Sequence, residues 1–301
     1  MKLKAVWTMV AVALLAAFAA AQAQDQYLDV YTAQVKPEKR AEFDALSKKM
    51  VAANRLHNGD TWLTMETVYG PGNRVSFISV RQGYSDADKG QAAFYGALVK
   101  AYGQAGADKI EQDFSQCLVS YRNEFRRRRP DLGSNLPSDP AAMSKMVGES
   151  RWLRTTVAHV RPGQVAAFES LLKEVKAARE KASPPQTMLV SQAVAGQEGT
   201  VFYVTTLQNS MAGFDSIPTI QQTLGDEGYQ RYLKTVADVV SDSETVISHF
   251  LPELSNAPEE VVAAAPDYWR PKAMVAAKPK MAKEAVVKAA GKEKVDDKAK
   301  Q

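Results

Sequence analysis

The chain of 301 residues is 45% hydrophobic and has a formal net charge of +4, a composition typical of globular proteins with ordinary cores. Its length leaves room for about two domains of roughly 100–200 residues each. The positive charge lies at the two ends. Lys2 and Lys4 supply two charges, and residues 256–301 hold ten basic and seven acidic residues, which supply three more. Residues 24–255 therefore carry about −1, which argues against a nucleic-acid-binding core.

The N-terminus has the pattern of a secretory signal peptide. Two lysines precede the apolar run Val10–Ala20, and a small-x-small site follows at Ala21–Ala23. The run is shorter than the ~20 residues that a membrane span needs. Residues 1–23 therefore predict a cleavable signal peptide, cut after Ala23, and a periplasmic or secreted protein. Cys117 is the only cysteine, so no internal disulfide can form.

The chain contains an internal repeat with an offset of 125 residues. Trp152–Phe168 (WLRTTVAHVRPGQVAAF) aligns with Tyr27–Phe43 (YLDVYTAQVKPEKRAEF) at an aromatic-Leu start, an Ala-x-Val, a basic residue, a proline and a phenylalanine. A repeat of this kind decides the architecture and is considered before single motifs. It predicts two similar domains, 24–125 and 151–255, each with the order strand, helix, strand, strand, helix, strand.

In chain order, β-branched and aromatic runs mark the strands, and prolines mark the starts of the helices that follow them. The strands predicted in the first half are Tyr27–Val35, Trp62–Tyr69, Arg74–Val80 and Cys117–Tyr121. Those predicted in the second half are Trp152–Val160, Met188–Val194, Thr200–Leu207 and Thr245–Phe250. Pro37 and Pro162 open the first helix of each half, and residues 86–112 and 211–240 predict the second helices.

Two segments outside the repeats have a different composition. Residues 126–150 contain Arg126 to Arg129 and several prolines, which predicts a linker. The four arginines indicate a solvated strand end or, less simply, a binding site for an acidic partner. Residues 256–301 are rich in Ala, Lys and Pro and predict a disordered tail. Charge alone would hold such a tail weakly to anionic envelope surfaces, and disorder without a partner is the alternative.

The order of elements resembles the ferredoxin-like βαββαβ unit, whose four-stranded sheet has helices on one face only. Two copies in one chain resemble the dimeric α+β barrel superfamily, which includes antibiotic-biosynthesis-type monooxygenases, haem-degrading proteins and NIPSNAP-like proteins. The resemblance covers about residues 27–255 and rests on element order and duplication. It implies an α+β fold of two tandem ferredoxin-like repeats packed sheet to sheet, a pseudo-dimer within a monomer.

Strand periodicity predicts which side chains face the space between the two sheets. Ala33 and Val35 suit packing under helices, so the alternate row that ends at Gln34 should face inward. The same parity places His159, the repeat equivalent of Gln34, on the inner face. Tyr203 and Phe77, on matching strand positions, are candidates for stacking on a flat ligand, although packing in a hydrophobic core is the simpler explanation for such aromatics. His159 and Gln34 complete this set of candidate ligand-binding residues.

The chemistry that these residues support is limited. The three histidines are scattered, with no metal-ligand spacing, and no cofactor or nucleotide motif is present. We therefore expect no metal and no cofactor. The leading hypothesis is a non-catalytic exported protein that binds a small, partly apolar molecule between the sheets. The alternatives are a cofactor-independent monooxygenase-like enzyme in which His159, a weak catalytic candidate, assists proton transfer, and a structural or partner-binding envelope protein.

Overall fold

Eight antiparallel strands close into one barrel in the computed structural model, which describes residues 26–182 and 186–271. The strands are β1 Tyr27–Val35, β2 Leu63–Tyr69, β3 Arg74–Arg81, β4 Leu118–Arg128, β5 Trp152–Val160, β6 Leu189–Ala195, β7 Thr200–Gln208 and β8 Val240–Phe250. The helices are α1 Arg40–Leu56, α2 Tyr84–Gln116, α3 Pro140–Glu149, α4 Val165–Ala182, α5 Ile220–Val239, α6 Glu259–Ala264 and α7 Pro266–Trp269. The predicted α+β class is confirmed.

The two halves of the barrel have the same strand order. In the first half β1 lies between β4 and β3, and β2 follows β3; in the second, β5 lies between β8 and β7, and β6 follows β7. The halves join edge to edge, because β2 pairs with β8 and β4 pairs with β6. Sequence analysis predicted two sheets facing each other. Hydrogen bonding of their edges turns them into a single closed wall and leaves no free strand edge.

The repeated stretch folds in the same way in both copies. β1 and β5 have the bounds that the sequence predicts, and each shows a register shift at its end, between Gln34 and Val35 and between His159 and Val160. The long helices α2 and α5 also break at matching glycines, Gly103 and Gly225, whose φ values of 71° and 70° suit glycine.

Strand parity correctly predicted which side chains of β1 and β5 face the helices and which face the barrel interior. Ala33 and Val35 pack with Phe43 in a core beneath α1 and α2. The equivalent residues of β5, Ala158 and Val160, pack in a second core beneath α4 and α5. The alternate rows face the barrel interior, where the following side chains line a cavity: Leu28, Thr32, Gln34, Leu153, Thr155, Val157 and His159.

The predicted linker 126–150 is largely structured. β4 extends through Arg128, and residues 140–149 form α3, whose N-cap Asp139 accepts a hydrogen bond from the Ala142 amide at 2.8 Å. The arginines are not a solvated strand end. Arg129 is buried against Asp131 and Glu169 at 2.7 and 2.6 Å. The prediction failed because composition cannot show that the fold brings Glu169, 40 residues away, to the Arg129 guanidinium.

The prediction of a disordered tail from residue 256 is wrong for its first 16 residues. Residues 256–271 fold as α6 and α7 and pack with α3 against one end of the barrel, where Val261, Val262 and Trp269 join Leu153 and Phe250 in a third core. Gly148 allows this approach, since a Cβ at that position would meet the Val261 carbonyl oxygen at 2.4 Å. A composition averaged over 46 residues hides the few apolar side chains that anchor the segment.

The predicted signal peptide, residues 272–301 and the proline pair at 184–185 lie outside the described residues. None of the helices within 26–182 and 186–271 has the length and apolar character needed to cross a membrane.

Candidate functional site

The barrel interior contains a cavity of about 1240 Å³, the candidate functional site. Its walls are apolar in one region and polar in another. The apolar wall, which includes residues of the third core, consists of Leu28, Leu63, Ile78, Leu153, Leu207 and Phe250. The polar side chains lie where β1 and β5 end and along β4: Gln34, Arg74, Arg122, Glu124, Arg126, His159 and Glu244. Such a mixture of an apolar body and a few convergent polar groups is typical of small-molecule sites.

In each half, one pair of hydroxyls joins neighbouring strands on the interior face. Thr32 and Ser76 join β1 to β3 through their hydroxyl oxygens at 3.0 Å, and Thr155 and Thr205 join β5 to β7 at 2.9 Å. These residues line the cavity midway along their strands. Each pair uses only one of its two O–H donors, so the second hydroxyl can still donate to a molecule in the cavity.

Glu124 is the centre of a buried polar network in the wall. Its carboxylate accepts hydrogen bonds from Arg126 Nε at 2.6 Å, from the Tyr203 hydroxyl at 2.7 Å and from Gln197 Nε2 at 2.7 Å. The Arg126 guanidinium also stacks over the Tyr203 ring, 3.5 Å from its centroid. Glu124 is 6% exposed, so these donors replace the water that the carboxylate loses on folding.

Burial raises the pKa of the Tyr203 hydroxyl well above its ordinary range, and the neighbouring Glu124 carboxylate acts in the same direction, while Arg126 opposes it. Tyr203 is therefore a neutral hydrogen-bond donor at physiological pH. With Glu124 as its acceptor, the hydroxyl holds the network together and is not poised to lose a proton.

The candidate residues nominated from sequence separate into two groups. His159, Gln34 and Tyr203 line the cavity. Phe77 lies on the other face of its strand, packed against the core beneath α1 and α2 with its ring centroid 6.2 Å from that of Phe43. Phe77 therefore does not line the cavity, and the assumed match with Tyr203 does not hold.

Strand pairing explains the mismatch. Phe77 pairs with Tyr31, whereas Tyr203 pairs with Val157, whose repeat equivalent is Thr32. A displacement of one residue places the two aromatic side chains on opposite faces of the wall.

His159 and Gln34 occupy equivalent positions but have different surroundings. Gln34 Nε2 donates to the Gly72 carbonyl at 2.7 Å, so the amide is held by the neighbouring hairpin. None of the described residues forms a hydrogen bond with the His159 imidazole; Ser241 contacts only its backbone carbonyl, at 3.1 Å. The half-buried imidazole thus remains available to a molecule in the cavity.

Three residues of this network were not among the candidates from sequence: Glu124, Arg126 and Gln197. Gln197 lies in the turn between β6 and β7. The predicted fourth strand ends at Tyr121, so the inward row of β4 beyond that residue was not considered. Extending the strand by parity would have found it. In residues 26–182 and 186–271, no group of three or more His, Cys, Asp or Glu side chains is arranged to hold a metal ion.

The fold and the site together define an α+β barrel with an accessible amphipathic interior. No protein-family model matches the sequence, and no curated protein matches it. Among solved structures, an anthrone oxidase-like protein is similar over 77% of this chain and 93% of its own, with 14% identity and a TM-score of 0.48.

Two further structures show comparable similarity. A heme-binding protein from Thermus thermophilus covers 77% of this chain and 93% of its own, at 14% identity and a TM-score of 0.41. Chlorite dismutase from Candidatus Nitrospira defluvii in complex with imidazole is similar over 79% of this chain and 94% of its own, with 11% identity and a TM-score of 0.41. Similarity at this level assigns neither a family nor an activity.

Proposed function

We propose that the protein binds a small, partly apolar organic molecule inside its barrel. The observation that carries this proposal is the cavity of about 1240 Å³, walled by leucines and Phe250 on one side and by polar side chains on the other. Ligand pockets in proteins have volumes of roughly 300–1,000 Å³ and a similar composition. A cavity of this size has room for a molecule that covers part of the leucine wall and still reaches His159.

Binding is tested with N-phenyl-1-naphthylamine, a neutral apolar dye whose fluorescence rises on leaving water. We expect saturable binding to the mature protein and a rise in melting temperature, since a ligand at 100 times its Kd stabilises by about 2.7 kcal/mol. Thr155→Trp should weaken binding, because it places an indole ring in the middle of the interior. The matched control is Thr156→Trp, because the neighbouring Thr156 pairs with Thr245 on the outer face. A dye affinity that is unchanged in folded Thr155→Trp would refute the proposal.

A second candidate is a cofactor-independent oxygenase acting on a bound phenol or quinol. It is favoured by one observation, the half-buried His159 imidazole that faces the cavity without a partner among the described residues. In this function His159 accepts the substrate hydroxyl proton, and molecular oxygen is the oxidant. Oxygen uptake with a panel of quinols would be compared for the unmodified protein, His159→Ala and the turn variant His57→Ala. Equal rates for all three would exclude this function for His159.

We also propose that residues 24–125 and 151–255 are tandem ferredoxin-like repeats of the dimeric α+β barrel type, present as a pseudo-dimer within a monomer. The shared strand order and the matching register shifts at Gln34 and His159 support this proposal. Light scattering tests the monomeric state, since the molar mass in solution should equal that of one mature chain. Export, proposed from the pattern in residues 1–23, is tested by mass spectrometry of the mature chain, which should begin at Gln24.

A further inference from the structure

Basic side chains outnumber acidic ones among the described residues that line the cavity. Six arginines and four acidic residues line it: Arg74, Arg122, Arg126, Arg127, Arg128, Arg129, Glu124, Asp131, Asp139 and Glu244. Three of the arginines have carboxylate partners among the described residues. Arg126 contacts Glu124, Arg129 contacts Asp131 and Glu169, and Arg74 approaches Glu244 at 3.4 Å.

Of the other three arginines, Arg127 alternates with the inward row of β4 and pairs with Tyr27. The remaining two lie on the inward row and have neutral partners. Arg122 Nη1 donates to the Gln197 side-chain oxygen at 2.7 Å, and Arg128 Nη1 donates to the side-chain oxygen of Gln26. Arg122 is exposed, so water can solvate its charge. Arg128 is only partly accessible, and burial lowers the pKa of its guanidinium from the ordinary value. A cation removed from water without a counter-charge is unfavourable.

Apolar residues of both neighbouring strands lie close to Arg128 in the register of the wall. In β1, Leu28 pairs with Arg126, two residues before Arg128, and with Val80 of β3. In β6, Ser191 pairs with Arg128, and Leu189 lies two residues before Ser191. Leu28, Val80 and Leu189 all line the cavity. The guanidinium therefore lies at the border of an apolar wall, where one molecule can contact both.

We propose that the ligand of the barrel is an amphipathic organic anion, whose acidic group pairs with Arg128 and whose apolar body lies against Leu28, Val80 and Leu189. This inference rests on the proposed binding function and adds the chemical class of the ligand. The planar fork of an arginine suits a carboxylate or a sulfonate, which can accept two parallel hydrogen bonds. The ligand supplies the negative charge that the described residues do not place beside Arg128.

Two dyes that differ by one acidic group test the inference on the mature full-length protein. They are N-phenyl-1-naphthylamine, which is neutral, and 8-anilinonaphthalene-1-sulfonate, which has the same rings and a sulfonate. We expect the sulfonate to bind at least about tenfold more tightly, in the range of one charge-assisted hydrogen bond. Arg128→Gln should remove most of that preference and leave the neutral dye within about twofold. Arg161→Gln, a control at an exposed arginine outside the cavity lining, should change neither affinity.

The outcomes separate this inference from the proposed function. Equal affinities for the two dyes, both weakened by Thr155→Trp, would overturn the anionic ligand and leave the binding function standing. Absence of binding of either dye would overturn both. An unchanged preference in folded Arg128→Gln would also overturn the assignment to Arg128. If Arg128→Gln does not fold, dodecanoate and dodecanol compete against the neutral dye in the unmodified protein. Tighter binding of dodecanoate than of dodecanol supports the inference, and equal affinities for the two competitors overturn it.

Discussion

Replacement of Trp269 by alanine should destabilise the protein strongly, because this side chain anchors a segment that composition alone predicts to be disordered. Trp269 is 1% exposed, its ring centroid lies 5.4 Å from that of Phe250, and its Nε1 donates to the Gly148 carbonyl at 2.9 Å. Truncation of a buried tryptophan costs about 3–5 kcal/mol. For a folded chain of this size, that loss corresponds to a fall in melting temperature of roughly 6–20 °C.

The measurement is urea denaturation of the full mature chain, followed by circular dichroism. Trp269→Phe keeps an aromatic ring and should cost only about 1 kcal/mol, since the Gly148 carbonyl retains Arg151 Nη1 as a donor at 2.9 Å. Leu56→Ala, at a side chain that is 73% exposed, should stay within about 0.5 kcal/mol of the unmodified protein. If Trp269→Ala cost no more than Leu56→Ala, the packing of residues 256–271 against the barrel would be refuted.

Two further predictions concern buried charge. Glu124→Gln should lower the free energy of unfolding by about 3 kcal/mol in chemical denaturation, because it leaves Arg126 without its carboxylate. Glu244→Gln, which breaks the half-exposed pair with Arg74, should lower it by less than about 1 kcal/mol. Equal losses for the two variants would contradict the buried network. Burial first, and then Arg151, lowers the pKa of His249 below 6.5, although two nearby glutamates oppose the shift. The unfolded chain thus binds more protons, so stability is present above pH 6.5 and is lost as the pH falls. His249→Gln should flatten the fall in melting temperature as the pH drops below 6.5, and an unchanged slope would rule this histidine out.

The elements that the sequence predicted well are those whose local pattern and tertiary role agree. β1 and β5 are half-buried strands that alternate between a helix-facing row and an interior row, so periodicity alone gave their bounds and their facing. The same parity placed Gln34 and His159 toward the interior, where they line the cavity. The duplication strengthened both predictions, because each copy tests the assignment of the other.

The elements that the sequence predicted poorly depend on partners distant in the chain. β4 is rich in charge because Glu124 meets Tyr203 and Gln197 across the wall, and no local pattern shows that such charges are inside. The one-residue difference between Phe77 and Tyr203 is likewise a property of strand pairing, not of the aligned sequences. Both errors arose where register or a distant counter-charge decided the position of a side chain.

The sequence by itself determined the repeated pattern, the α+β class and the inward row of each first strand, because these follow from local periodicity that occurs twice. The tertiary structure decided that the strands close into one barrel, that residues 256–271 cover one end of it and that four charged positions of β4 face inward. The reason is physical. Edge pairing and end packing join residues that are tens to hundreds of positions apart, as does the pair of Arg129 with Glu169, and their energies appear only once the chain brings them together.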